Sequence, residues 1–339
     1  MNYDIAESVT RVRRQYIELE NKTKELFFKC LDEGRDEDYF NKELHKIWGN
    51  IDHSYYLDEL DEFQRIIHEQ NMLMLEISEE PEYEEINNFF ELVTLAVILA
   101  TEKKFEDIKK REYSTSLNSK AYKTDKREYL KLKVQKYTSQ IVPYELHKYE
   151  IIDGKRVKTD EIIGYSYVDE STYVSMIHNT NLTRTEWNTT LNDADLLGFD
   201  LFYIPYHPFS CPHCIEHQNK LMTKEDVLNL VGFAEEAEGD ILHPNCKCSL
   251  LIATGRIRTK DKLTSLQKAE IYDIRQKVNG LTLKKSRIWT DMKIQKRLGN
   301  MEEYDKLNQK RNKINEKIRD LKEQLPTEAL QKQVTAIKR

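Results

Sequence analysis

Residues 209–220, Phe-Ser-Cys-Pro-His-Cys-Ile-Glu-His-Gln-Asn-Lys, and residues 239–251, Gly-Asp-Ile-Leu-His-Pro-Asn-Cys-Lys-Cys-Ser-Leu-Leu, decide how this chain is read. They hold Cys211, Cys214, Cys246 and Cys248, four of the chain's five cysteines, with His213, His217 and His243 among them. A two-residue interval such as Cys211-Pro-His-Cys214 lets one tight turn aim two thiolates at one ion, and a tetrahedral zinc site needs two more ligands from elsewhere. Cys246-Lys-Cys248 supplies them, because alternate residues of a strand project to the same face. His243 is a competing ligand, or a hydrogen-bonding neighbour that tunes the thiolates. The expected metal ligands are therefore Cys211, Cys214, His243, Cys246 and Cys248, around a structural Zn2+. His213 and His217 are expected as exposed loop residues. Unmetallated thiols and a redox Cys-x-x-Cys are the competing readings, but no thioredoxin-like βαβ pattern surrounds the second.

Four thiolates close a coordination sphere and leave no position for water or substrate. The sequence also lacks HExxH, GxSxG and GxxxxGK[ST] signatures, and the HxE…PCxxC of nucleobase deaminases. A His-metal nuclease would have to use His243 and Asn245, which Pro244 and Cys246 crowd. No catalytic residue is assigned and the chain is not expected to be an enzyme; a zinc-knuckle nuclease or phage-encoded toxin enzyme is the alternative.

Working outward, 33% of residues are charged and only 10 of 339 are glycine, which favours helices over barrels and sandwiches. The longest apolar run, 89–100, carries Glu91 and is too short to span a bilayer. The first twenty residues have no apolar h-region, so a reducing compartment without structural disulfides is expected. The fold class is mainly α with a small α+β zinc-knuckle domain, between a helical N-terminal region and a basic helical C-terminal arm.

Three regions are expected: an acidic helical stretch 1–142, an α+β knuckle domain 143–254 and a basic helical or coiled-coil arm 255–339. In the first, Val12, Tyr16, Leu19, Leu26 and Cys30 recur at helical spacing, with Cys30 as a buried core thiol. A second helix covers 56–77, and a third opens at Ser78-Glu-Glu-Pro81 and runs toward Lys110. In the second region, 149–159 reads as a short hairpin around Asp153-Gly154, followed by a helix capped by Ser171 and ending near Gly198. Asp193 and Asp195 simply close that helix. Segment 199–207 is a strand, 223–237 a helix with Thr223 as N-cap, and 246–254 a strand.

The net charge of −6 conceals an imbalance. From Gly255 to Arg339 about 23 Lys+Arg face about 11 Asp+Glu, an excess of about +12 that leaves about −18 for residues 1–254. Apolar residues at near-heptad spacing, with breaks at Asn279-Gly280 and Gly299-Asn300, predict helices folded back on one another. Such a basic arm can neutralise nucleic-acid phosphates or pack on an acidic protein surface.

Taken in order, Arg184-Thr-Glu-Trp187 on a helix, an aromatic strand, Cys211-Pro-His-Cys214 through Lys220, and Leu242-His-Pro-Asn-Cys-Lys-Cys-Ser-Leu250 resemble the phage Mu F-like minor head proteins of tailed bacteriophages. The likeness covers roughly residues 170–254. In that family the last position exchanges Cys for His, which implies a ligand role for Cys248, and Asn219 stands where a Gly is frequent. The resemblance implies a low-copy minor capsid or head-morphogenesis protein. It would sit in the virion near the portal and inner capsid, after assembly in the host cytoplasm. The implied partners are portal and capsid proteins and, through the arm, double-stranded DNA, with no membrane. Arg184 and Glu186 are expected to form a salt link inside the knuckle domain.

Overall fold

A computed structural model describes residues 5–75, 77, 89–152, 155–206, 210, 212–231, 246, 248–254 and 264–325. The architecture is mainly α. Six helices come first: α1 (Ile5–Glu33), α2 (Glu37–Trp48), α3 (Ser54–Met74), α4 (Phe89–Asn118), α5 (Lys120–Thr124) and α6 (Lys126–Lys136). A two-stranded antiparallel ribbon, β1 (Gln140–Ile152) and β2 (Lys155–Asp169), leads into α7 (Glu170–Leu197). Then follow β3 (Leu201–Tyr203), α8 (Pro212–Ile215), β4 (Met222–Thr223), α9 (Lys224–Val231) and β5 (Leu251–Ile252), with the small sheet ordered β4-β3-β5. Two long helices close the chain, α10 (Ser265–Arg297) and α11 (Met301–Glu323). No described helix is long and apolar enough to cross a membrane.

The expected stripe on α1 is buried at Val12, Tyr16, Leu19 and Cys30, but Phe27 goes to the centre and Leu26 to the margin. Phe27 meets Phe28, Phe40, Tyr113 and Tyr137 edge-on or nearly so, the geometry that ring quadrupoles favour. Phe40 in turn stacks on Tyr113 with ring centroids 4.0 Å apart. This core also takes in Val174 of α7, Ile294 of α10 and Leu298, so it draws on all three stretches distinguished in the sequence.

Asp36 caps α2 by accepting from the Tyr39 N–H at 2.8 Å, and Asp125 caps α6 through Glu128 N–H at 3.0 Å. Each satisfies an orphan donor of the first turn. The third helix runs past Lys110 to Asn118, and its expected start at Ser78 lies outside the described residues. The short hairpin is instead a ribbon of 13 and 15 residues. Pro143 pairs opposite Tyr167, tolerated because a two-stranded ribbon has only edge strands. The expected turn, Asp153-Gly154, lies outside the described residues.

Helix α7 begins at Glu170 after Asp169 rather than at Ser171. The Ser171 N–H donates to the Glu20 carboxylate of α1 at 2.9 Å, so a neighbouring helix supplies the anion that this N-terminus attracts. Gly198 ends α7 at φ 73°, the left-handed cap that glycine adopts without strain. Two expected strands shrink: 199–207 to Leu201–Tyr203, and 246–254 to Leu251–Ile252. The break expected at Asn279-Gly280 does not occur, since α10 passes through it unbroken. The break at Gly299-Asn300 does, with Gly299 at φ 68° turning the chain into α11.

The basic arm is partly spent on the chain's own acidic side. Lys293 pairs with Glu25 at 3.1 Å, Arg297 with Glu33 at 3.0 Å, and Arg287 with Asp169, while Asp291 of the arm pairs in the opposite sense with Lys24. Ile294 and Leu298 are buried between these pairs.

Candidate metal centre

Two of this site's three thiols, Cys246 and Cys248, hang from α7. Its residues Asn179, Thr183 and Trp187 recur every four positions, with Glu186 three after Thr183, hence on one face. All four are buried. Asn179 Nδ2 donates to the Cys246 carbonyl at 2.7 Å, and the Thr183 hydroxyl reaches the same oxygen at 3.4 Å. Trp187 Nε1 donates to the Cys248 carbonyl at 2.8 Å. Buried carbonyls must find donors, and those of Cys246 and Cys248, which lie outside any strand, find them in helix side chains. The ladder does a sheet's work with a helix face.

Cys214 stands on the single turn α8, and Cys246 and Cys248 on the segment held by α7. Their three sulfurs all lie within 4.8 Å of one another, and Cys214 Sγ and Cys246 Sγ are 3.6 Å apart. That is far beyond the roughly 2.05 Å of a disulfide bond and fits both a thiol–thiol hydrogen bond and two sulfurs that share one ion. The three thiols are buried in a second apolar cluster with Trp187, Leu191, Phe202, Ile204, Met222, Val227, Leu250 and Ile252. Cys214, Cys246 and Cys248 can thus hold a metal ion. Of the other expected ligands, Cys211 and His243 lie outside the described residues, as does the His213 side chain. His217, expected in an exposed loop, is half-buried in the turn after α8 and is not part of the thiol group.

The turn that carries Cys214 is closed by Asn219, whose N–H donates to the Ile204 carbonyl at 2.9 Å. Asn219 sits at φ 56°, a region that glycine favours and asparagine tolerates best among the rest. The Asn found where the resembled family often has Gly is therefore a conservative exchange in backbone terms.

Glu186 makes no ion pair with Arg184 among the described residues; the expected salt link is replaced by a hydrogen bond with Ser249. Burial pushes the Glu186 carboxyl up to about 8, against that hydrogen bond, and Cys246 nearby adds to the rise. Asp193 does not merely end a helix. It is buried, accepting from Asn71 Nδ2 at 2.7 Å and lying 2.6 Å from His68 Nδ1, which ties α7 to α3. Lys268, buried at the start of α10, donates to Gln218 at 3.2 Å and lies over the Tyr206 ring. Gln218 in turn donates to Ser210, beside Cys211. None of Asn179, Thr183, Trp187 or Lys268 was singled out as a support from sequence. For the three on α7 the signal is a hydrogen-bonding side chain at every fourth place from Ser171 to Trp187.

Compared with protein-family models, curated proteins and solved structures, the chain matches none.

Proposed function

We propose that the chain is a non-enzymatic minor capsid, or head-morphogenesis, protein of a tailed phage, with a knuckle stapled by zinc. The observation that carries this reading is the convergence of Cys214, Cys246 and Cys248 beneath the helix that bears Arg184-Thr-Glu-Trp187, in the motif order of the resembled family. Zinc suits the donors. Tetrahedral zinc–thiolate bonds of about 2.3 Å place sulfurs about 3.8 Å apart, close to the 3.6 Å between Cys214 and Cys246. Cys211 is the natural fourth ligand by its Cys-x-x-Cys spacing, with His243 as the alternative.

In this reading the metal is structural. It holds the small second core together, while the N-terminal helices and the basic arm present surfaces to portal and capsid proteins in the virion. The excess basic charge of the arm beyond what α1 neutralises is available to packaged double-stranded DNA. The experiment is to purify phage particles made with a tagged chain and quantify it against the portal protein. A few copies per particle, sedimenting with empty heads as well as full ones, is the expected result. Absence from every particle fraction, or metal-dependent cleavage of nucleic acid by the purified chain, overturns it.

A further inference from the structure

Gly280 lies in the interior of α10, an unbroken helix of 33 residues, where glycine weakens a helix relative to alanine. Three other glycines have a backbone reason, since Gly34, Gly198 and Gly299 all have positive φ. Gly280 has none of that kind, and no packing reason either: a Cβ placed there meets nothing within 4 Å. It opens instead onto a groove of about 540 Å³ between α10 and α11. Leu281 and Leu321 form the apolar floor of this groove, and Lys277, Lys284 and Lys317 stand on its rim with Asp320.

We infer that this groove is a docking site for an acidic amphipathic helix of another protein. Two helices packed on each other leave one shared face open, and a third helix completes such a bundle. α11 packs chiefly on α10, so nothing described covers that face. The charge of the rim selects the partner, and α10 already shows the preference. Its C-terminal half receives α1 with Lys293 and Arg297 opposite Glu25 and Glu33, two such pairs against the one reversed pair Asp291–Lys24, and with Ile294 between them. The groove repeats that pattern of lysines around an apolar strip, and the missing Cβ at Gly280 lets a partner backbone approach closely.

The test uses the full chain and three fluorescent probes: a helical peptide with leucines along one face and glutamates elsewhere, its lysine counterpart, and a short duplex DNA. The acidic peptide is expected to bind saturably and the lysine peptide not to. Gly280→Leu, which fills the notch, and Lys277→Glu with Lys284→Glu are each expected to weaken binding by roughly tenfold or more. Circular dichroism should show Gly280→Leu as helical and at least as heat-stable as the parent. No saturable binding of the acidic peptide, equal affinity for both peptides, or indifference to Gly280→Leu overturns the proposal. Duplex DNA that displaces the peptide with the same dependence on Gly280 also overturns it.

Discussion

Glu170 shows how far a single buried group can govern this protein. It is fully buried, and neither carboxylate oxygen has a hydrogen-bond partner among the described residues. Burial pushes its pKa from 4.5 up to about 8, with Glu20 and Glu102 adding to the rise. A folded pKa above the unfolded one contributes stability that is complete below about 4.5 and is lost as pH rises through about 8. The loss is about 1.4 kcal/mol for each unit of separation. Thermal melts at pH 5 and pH 8.5 are expected to show a smaller fall for Glu170→Gln than for the parent; equal falls would contradict this. Trp187 makes a second case. Trp187→Phe keeps an aromatic ring but removes the donor to the Cys248 carbonyl, at an expected cost of about 1–3 kcal/mol in urea unfolding. An unchanged midpoint would mean that this hydrogen bond is idle. The cysteines were legible in the sequence because few chemistries gather thiols in so cysteine-poor a chain. Asn179, Thr183 and Asp193 were not, because polar residues on a helix read as solvent-facing until their partners, more than sixty positions away, are in place.

Helices were easier to foresee than the pieces between them. The stripe on α1, the cap at Thr223 and the hairpin at Gly299 follow from local periodicity and turn chemistry. The ribbon was underestimated because the local turn signal marks only the tip of a hairpin, whereas the paired strands run on through Pro143 and Gly164. The cysteine strand was overestimated because its carbonyls are satisfied by α7 rather than by a neighbouring strand. Asn279-Gly280 failed to break α10 because one glycine costs a helix only about 1 kcal/mol, which burial of Ile271, Val278, Ile288 and Met292 along the same helix offsets. That helix is the element most open to test. Its exposed pairs with α1 are worth about 0.2–1 kcal/mol each, so added salt should shift the melting temperature little. Ile294→Ala empties a core position and is expected to cost about 2–5 kcal/mol. A large salt effect together with a mild Ile294→Ala would reverse the assignment, making charge rather than burial the glue.

At the scale of the molecule, α7 joins two cores: Val174 belongs to the large one built on α1, and Trp187, Leu191 and Ala194 belong to the one around the thiols. α10 joins them again, through Ile294 in the first and Tyr272 beside the second. A chain cut before the arm therefore loses side chains from the large core. It is expected to melt at a lower temperature than the full chain rather than behave as a tidy remainder; an unchanged melt would show the arm to be a separate unit. The smaller core has fewer apolar residues to sustain it, and binding energy at a metal site made by folding is also folding energy. The decisive measurement is metal content of the purified full chain, paired with hydrogen exchange before and after chelation. Stoichiometric zinc is expected, and its removal should deprotect β3, α8 and the segment after Cys246 while α1 and α2 stay protected. Metal-free protein with that segment already slow to exchange, or chelation that changes no amide, would contradict a knuckle held by an ion.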